Sequence, residues 1–123
     1  MKNHEFHLSI LILALLLTTF LAACTSETEE YVQGYWYRGN AHFMDEWYFD
    51  AGNFSHKSEV FHGDPNITSG RYRVLEFADD SLVIEMYDIN LSFGDETHQI
   101  TIKIDKGTDM IRISSQDYER TLP

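Results

Sequence analysis

Cysteine is almost absent from this chain of 123 residues, since Cys24 is the only one. The chain can therefore form neither an internal disulfide nor a zinc site built on several thiolates. Basic residues are also scarce, with 9 Lys and Arg against 20 Asp and Glu and a formal net charge of −11. A chain this acidic has no positive surface for binding DNA or RNA, and anionic lipid surfaces would repel it.

The residue patterns of common enzyme and cofactor sites are missing as well. The sequence contains no Gly-x-Ser-x-Gly elbow, no phosphate-binding glycine loop and no calcium loop with alternating carboxylates. No two of the later histidines have the i, i+4 spacing of a helical metal pair: His42, His56, His62 and His98. We therefore expect no catalytic residue, no metal and no cofactor. A hydrolase built on loop carboxylates such as Asp79-Asp80 stays an alternative, and it would need two acids facing one groove.

The first 23 residues form the one strongly apolar segment of the chain. Its run Ile10–Phe20 (ILILALLLTTF) follows Lys2 and is shorter than the roughly 20 residues that a membrane-spanning helix needs. The segment ends in Leu21-Ala22-Ala23-Cys24, which resembles the lipobox of bacterial lipoproteins. In that family the cysteine receives diacylglycerol on its sulfur, and the leader is cut just before it. The resemblance implies a cleaved signal peptide over 1–23 and a lipidated N-terminus at Cys24.

The same resemblance implies where the protein is located. Acyl chains such as palmitate on Cys24 would anchor the chain to a membrane of the bacterial cell envelope, on its extracytoplasmic side. Thr25 follows the anchor where a retention aspartate would stand, which favours the outer membrane if the cell has two membranes. An ordinary signal peptide with a chance cysteine is the alternative. Residues 24–30 are short, polar and acidic, and we expect them to be a solvated tether.

From Tyr31 onward the sequence has no helical periodicity, and turn residues recur about every 8 to 15 residues, as in all-β proteins. The alternation of Ile100, Ile102 and Ile104 with polar residues marks the clearest strand. Eight strands are predicted: Tyr31–Arg38, Met44–Asp50, Phe54–Phe61, Gly70–Phe77, Ser81–Asp88, Thr97–Asp105, Met110–Ser114 and Asp117–Leu122. The stretches His62–Thr68, with Pro65, and Asn90–Glu96 are predicted loops.

Short connections favour antiparallel pairing of successive strands, and closing the sheet removes its exposed edges. We therefore predict that 31–123 is one all-β domain, a small antiparallel meander barrel of about eight strands, with a β-sandwich as the alternative. Leu75 and Phe77 are out of phase with Tyr72 and Val74, so a bulge near Val74–Leu75 is expected to bring both pairs inside. The expected core comprises Trp36, Trp47, Phe49, Tyr72, Val74, Ile84, Ile100, Ile102 and Ile111.

Several motifs, in this order, resemble those of lipocalins and small bacterial lipocalin-like domains. They are Gly34-Tyr35-Trp36, the hairpin WYFDAGNF at 47–54, the strand at 69–74 and Tyr118-Glu119-Arg120. The resemblance implies that Gly34 begins the first strand, that Trp36 closes one end of a barrel and that the Arg120 guanidinium lies over Trp36. The helix that follows the barrel in full lipocalins has no counterpart in this sequence.

Three tyrosines alternate with expected core residues and should face the other side of the sheet: Tyr35, Tyr37 and Tyr48. They are either a surface for apolar or sugar-like ligands or ordinary cross-strand pairs. Two functions stay open for the whole domain. One is a binding module whose small apolar ligand enters the mouth opposite Trp36. The other is an interaction protein with a filled core, which docks a basic envelope protein through its acidic surface.

Overall fold

The structure is a computed structural model and describes residues 26–60, 63–90 and 96–121. It begins with a short helix, α1 (Glu27–Val32). Eight strands follow: β1 (Gly34–Gly39), β2 (Phe43–Asp50), β3 (Asn53–Val60), β4 (Asn66–Ala78), β5 (Ser81–Tyr87), β6 (His98–Asp105), β7 (Met110–Ile113) and β8 (Gln116–Thr121). The predictions of a signal peptide over 1–23 and of lipidation at Cys24 lie outside the described residues.

The eight strands form a closed barrel in which every strand pairs antiparallel with the next one along the chain. β1 also pairs with β8, in a register that sets Trp36 beside Arg120. The predicted all-β meander barrel is therefore confirmed, and the sandwich alternative is wrong. Among the described residues, α1 is the one helix, and no helix is long and apolar enough to cross a membrane.

The core of the barrel follows from the alternation of side chains along each strand. In β5, Leu82, Ile84 and Met86 are buried while their neighbours are half-buried, which is the period of two that a pleated strand imposes. Each large apolar side chain buried in this way stabilises the fold by about 1.5 to 3 kcal/mol. Seven of the predicted core residues are buried: Trp36, Trp47, Phe49, Tyr72, Ile84, Ile102 and Ile111. The other two, Val74 and Ile100, are partly buried against them.

The β-bulge in β4 is confirmed, but its predicted effect on burial is wrong. The register shifts between Val74 and Glu76, which leaves Leu75 as the extra residue. Leu75 remains 43% exposed and Phe77 remains 65% exposed. Phe77 does regain the inward phase, because it pairs with buried Leu82. Phe77 is the penultimate residue of β4, and its ring extends beyond the part of the strand that the core covers.

Residues 27–30 are not the solvated tether that the sequence predicted, because they form the first part of α1. Ser26 caps this helix by accepting a hydrogen bond from the backbone N–H of Glu29 at 3.0 Å. Its acidic first turn suits the positive end of the helix dipole. Thr28 and Val32 are buried against the barrel, and β1 begins at Gly34 rather than at Tyr31. A helix of six residues is too short to show periodicity in the sequence.

The predicted loop at His62–Thr68 is partly wrong as well. β4 begins at Asn66, directly after Pro65, and runs for 13 residues. It is long because its first half pairs with β3, up to Arg71, whereas its second half pairs with β5. This strand therefore extends along the whole height of the barrel, from the end covered by α1 to the opposite end, which we call the mouth.

Candidate functional site

The end of the barrel beneath α1 is closed by side chains. The indole Nε1 of Trp36 donates to the carbonyl oxygen of Val32 at 2.8 Å, which ties the core to the end of the helix. The Arg120 guanidinium carbon lies 4.2 Å from the centroid of a Trp36 ring. Its two terminal nitrogens donate to the carbonyl oxygens of Gln33 and Tyr31, at 3.0 and 2.6 Å. Arg120 therefore satisfies one carbonyl in the last turn of the helix and the carbonyl of its C-cap residue.

An ion pair with Asp109 holds the Arg120 side chain in place at this closed end of the barrel. Arg120 Nε lies 3.2 Å from both carboxylate oxygens of Asp109, and the Tyr31 hydroxyl donates to the same carboxylate. The Tyr31 hydrogen bond, together with the charge of Arg120, holds the pKa of Asp109 below its usual value. Gly34 has φ +110°, a conformation that L side chains rarely adopt. The structure thus brings together the residues for which the sequence predicted closure: Gly34, Trp36 and Arg120.

The mouth contains a pocket, which we call the mouth pocket, of about 340 Å³. Its floor is apolar and consists of Trp47 on β2, Phe54 on β3, Met86 on β5 and Ile89, two residues after β5. Its rim is polar and consists of His56 on β3, Thr68 on β4, Glu96 shortly before β6 and His98 at the start of β6. An apolar floor with a few polar groups at the rim is the usual composition of a small-molecule site.

A hydrogen-bond network behind the pocket wall positions His56. The imidazole of His56 stacks on Trp47, with ring centroids 4.1 Å apart, and its Nε2 pairs with one oxygen of Asp45. The other oxygen of Asp45 accepts a hydrogen bond from the Tyr118 hydroxyl at 2.7 Å. Burial and the neighbouring Asp45 raise the pKa of Tyr118 to about 12. Because the phenol stays protonated at neutral pH, it remains a donor that holds Asp45, and through it His56, in place.

Trp47 carries an unusual buried group. Its indole Nε1 is buried and has no hydrogen-bond partner among the described residues. The indole N–H lies near the Tyr118 hydroxyl and partly offsets the rise in the pKa of Tyr118. The two groups do not meet hydrogen-bond geometry, however. Buried unpaired donors are uncommon in folded proteins and cost about 1 to 3 kcal/mol. The residue that carries this cost is also part of the pocket floor.

The three predicted surface aromatics do not line the mouth pocket. Tyr35 and Tyr48 form a cross-strand pair on the outer face of the barrel, with stacked rings 4.2 Å apart. Tyr37 lies on the same face and is 37% exposed. His56 and His98 line the pocket although neither was predicted to be a site residue. The available signal was their spacing of two residues from Phe54 and Ile100, since residues i and i+2 of a strand share a face.

A groove near the β6–β7 hairpin is lined by two carboxylates, Asp105 and Asp117, which is the arrangement that the hydrolase alternative requires. Both carboxylates have partners: Arg112 binds Asp117, at 2.8 and 3.2 Å, and the turn backbone donates to Asp105. The pKa of Asp117 is lowered by Arg112, which makes it unsuitable as a general acid. Within the described ranges, no group of three His, Cys, Asp or Glu side chains could hold a metal ion.

Comparison with known proteins finds no family model that matches the chain, and neither a curated protein nor a solved structure matches it. Of the two ends of the barrel, one is sealed by Arg120 and α1, and the other opens into a pocket with a polar rim.

Proposed function

We propose that this protein is a lipid-anchored binding module of the bacterial cell envelope, and that its mouth pocket takes a small apolar ligand. The observation that carries the proposal is the mouth pocket itself. Its volume of about 340 Å³ falls at the lower end of the range of small-molecule sites, about 300 to 1,000 Å³. Trp47 and Phe54 provide a rigid apolar floor, and the network through Asp45 holds the neighbouring His56 in place without a ligand.

The proposed anchor at Cys24 would lie on the side of the closed end of the barrel. Ser26 caps α1 at the closed end and is only two residues after Cys24. Two residues of extended chain span about 7 Å, so acyl chains on Cys24 would hold the closed end close to the membrane surface. The mouth would then face away from the membrane, and ligands would arrive from the aqueous compartment.

A fluorescent apolar dye tests ligand binding in the full chain. We expect phenylnaphthylamine, a neutral dye that fits the pocket volume, to bind with enhanced fluorescence. If native mass spectrometry detects a copurified ligand, adding that ligand should displace the dye. Ile89→Trp adds a large ring to the pocket floor and should abolish binding. Ile67→Trp, at a residue that is 48% exposed and does not line the pocket, is the matched control. Absence of dye binding to the folded wild-type chain would refute the proposal.

The second candidate is the interaction protein with a filled core. It is favoured by the complete burial of Trp36, Ile84 and Ile102 inside the barrel and by the net charge of −11. Under this alternative the full chain would bind neither dye nor copurified ligand. It would instead bind a basic envelope protein with an affinity that falls as salt is added, because exposed charges are screened.

A further inference from the structure

We infer that the mouth pocket selects organic cations, that is, small ligands that combine an apolar body with a protonated amine. This inference depends on the proposed function and adds the charge class of the ligand. It follows from three properties of the described residues: which charges line the pocket, where they lie relative to the apolar floor, and what field the whole chain produces.

Glu96 is the one formally charged side chain lining the pocket when its two histidines are neutral. The other polar groups of the rim are the two imidazole rings and the Thr68 hydroxyl. Glu96 is not neutralised by a Lys or Arg side chain among the described residues, and its ion-pair contact is with His98 at 3.7 Å. This carboxylate is therefore available to a ligand.

The charged groups that lie behind the pocket lining do not make the pocket positive. Asp45, on the far side of His56, adds a second carboxylate, and the neighbouring Tyr118 is a neutral phenol. Arg38 pairs with Asp45 across β1 and β2, but its guanidinium lies over Phe43 and donates to Gln116, outside the pocket. Among the described residues, no guanidinium or ammonium group lines the pocket.

The floor and the rim divide the pocket into an apolar and a charged part. Trp47, Phe54 and Met86 are each less than a tenth exposed, so the pocket floor is an apolar surface that belongs to the barrel core. Glu96 has 63% of its side chain exposed, so its carboxylate stays hydrated at the rim. A ligand that buries an apolar ring against the floor and keeps an ammonium group at the rim matches both parts. The net charge of −11 would also attract such a ligand from solution.

Three probes that share one ring and differ in charge test the inference: phenethylamine, phenethyl alcohol and hydrocinnamate. The full chain in a nonionic detergent is titrated calorimetrically with each probe at about pH 8. We expect the amine to bind about tenfold more tightly than the carboxylate, with the alcohol between them. The preference should shrink when salt is raised from about 20 mM to about 500 mM, because Glu96 lies at the exposed rim.

Glu96→Gln, with nearly unchanged shape, should lower the affinity for the amine to that for the alcohol. Glu119→Gln, at an exposed carboxylate on β8 that does not line the pocket, is the matched control and should change nothing. Equal binding of amine and alcohol by the wild-type chain would overturn the cation inference and leave the binding function intact. If none of the three probes binds and the neutral dye also fails, the proposed function fails with it.

Discussion

Arg120 and Trp36 are direct neighbours across the seam where the last strand meets the first, with the guanidinium carbon 4.2 Å from the indole ring. The contact joins residues 84 positions apart, since the chain must complete the whole barrel before they meet. Arg120 also binds the carbonyls of Gln33 and Tyr31, so one side chain links β1, β8 and α1.

Replacement of Arg120 should therefore be costly. Arg120→Ala removes two charge-assisted hydrogen bonds and the contact with Trp36, and we expect it to lower the free energy of unfolding by about 3 kcal/mol. Arg120→Lys should lose less, because an ammonium group keeps the charge but not the planar pair of donors. Urea denaturation measures both. Arg112→Ala, at an exposed arginine paired with Asp117, is the control, and a comparable loss there would contradict the assignment.

The helix α1 should contribute to stability rather than act as a tether. Thr28→Val keeps the side-chain shape but removes the hydrogen bond to the carbonyl of Ala78, at an expected cost of about 1 to 2 kcal/mol. Val32→Ala, at a side chain that is 1% exposed, should cost about 2 kcal/mol. Thermal unfolding of the variants provides the measurement, with Glu27→Gln as an exposed control. Unchanged melting in Thr28→Val and Val32→Ala would show that the segment is a free linker after all.

Truncation of Phe77, at the end of β4, and of Leu82, at the start of β5, should change the stability of the fold by very different amounts. Phe77 and Leu82 are paired across the strands, yet Phe77 is 65% exposed and Leu82 is 1% exposed. We expect Leu82→Ala to cost about 2 to 5 kcal/mol, whereas Phe77→Ser should change stability by less than about 0.5 kcal/mol. A large loss in Phe77→Ser would mean that this ring is covered in solution.

Stability at high pH should depend on Tyr118. Its pKa is about 12 in the folded state, against 10.0 for an ordinary tyrosine, because the phenol is buried and donates to Asp45. Between those values the unfolded chain binds fewer protons than the folded one, so the free energy of unfolding falls as pH rises. The contribution is complete below pH 10 and is lost by about pH 12. Denaturation at a series of pH values should show a shallower fall in Tyr118→Phe but not in the exposed control Tyr37→Phe.

Lipidation at Cys24 gives a direct test of the proposed location. Cells that make the wild-type protein should incorporate labelled palmitate into it, and the protein should sediment with membranes. Cys24→Ser should lose both the label and the sedimentation, because no other thiol exists in the chain. Thr25→Ser is the neighbouring control. A Cys24→Ser protein that is still processed and secreted normally would instead indicate an ordinary signal peptide with a chance cysteine.

Much of the barrel was predictable because β-strand burial is a local pattern. Alternation of Leu82, Ile84 and Met86, or of Ile102 and Ile104, marks an inward face wherever the strand is placed. The bulge near Val74 was predictable for the same reason, since the phase of the pattern changes there. The exposure of Phe77 was not, because it depends on where the barrel ends rather than on the strand that carries the residue.

The sequence by itself determined the number of strands, their inward faces and the acidic charge, because each of these is a property of neighbouring residues. Only the tertiary structure decided how the two ends differ. Closure brings Arg120 to α1, and it joins His56, Asp45 and Tyr118 from three strands into the network behind the mouth pocket. Such contacts depend on register and on closure of the sheet, and pairings over long chain separations leave no periodic trace in a single sequence.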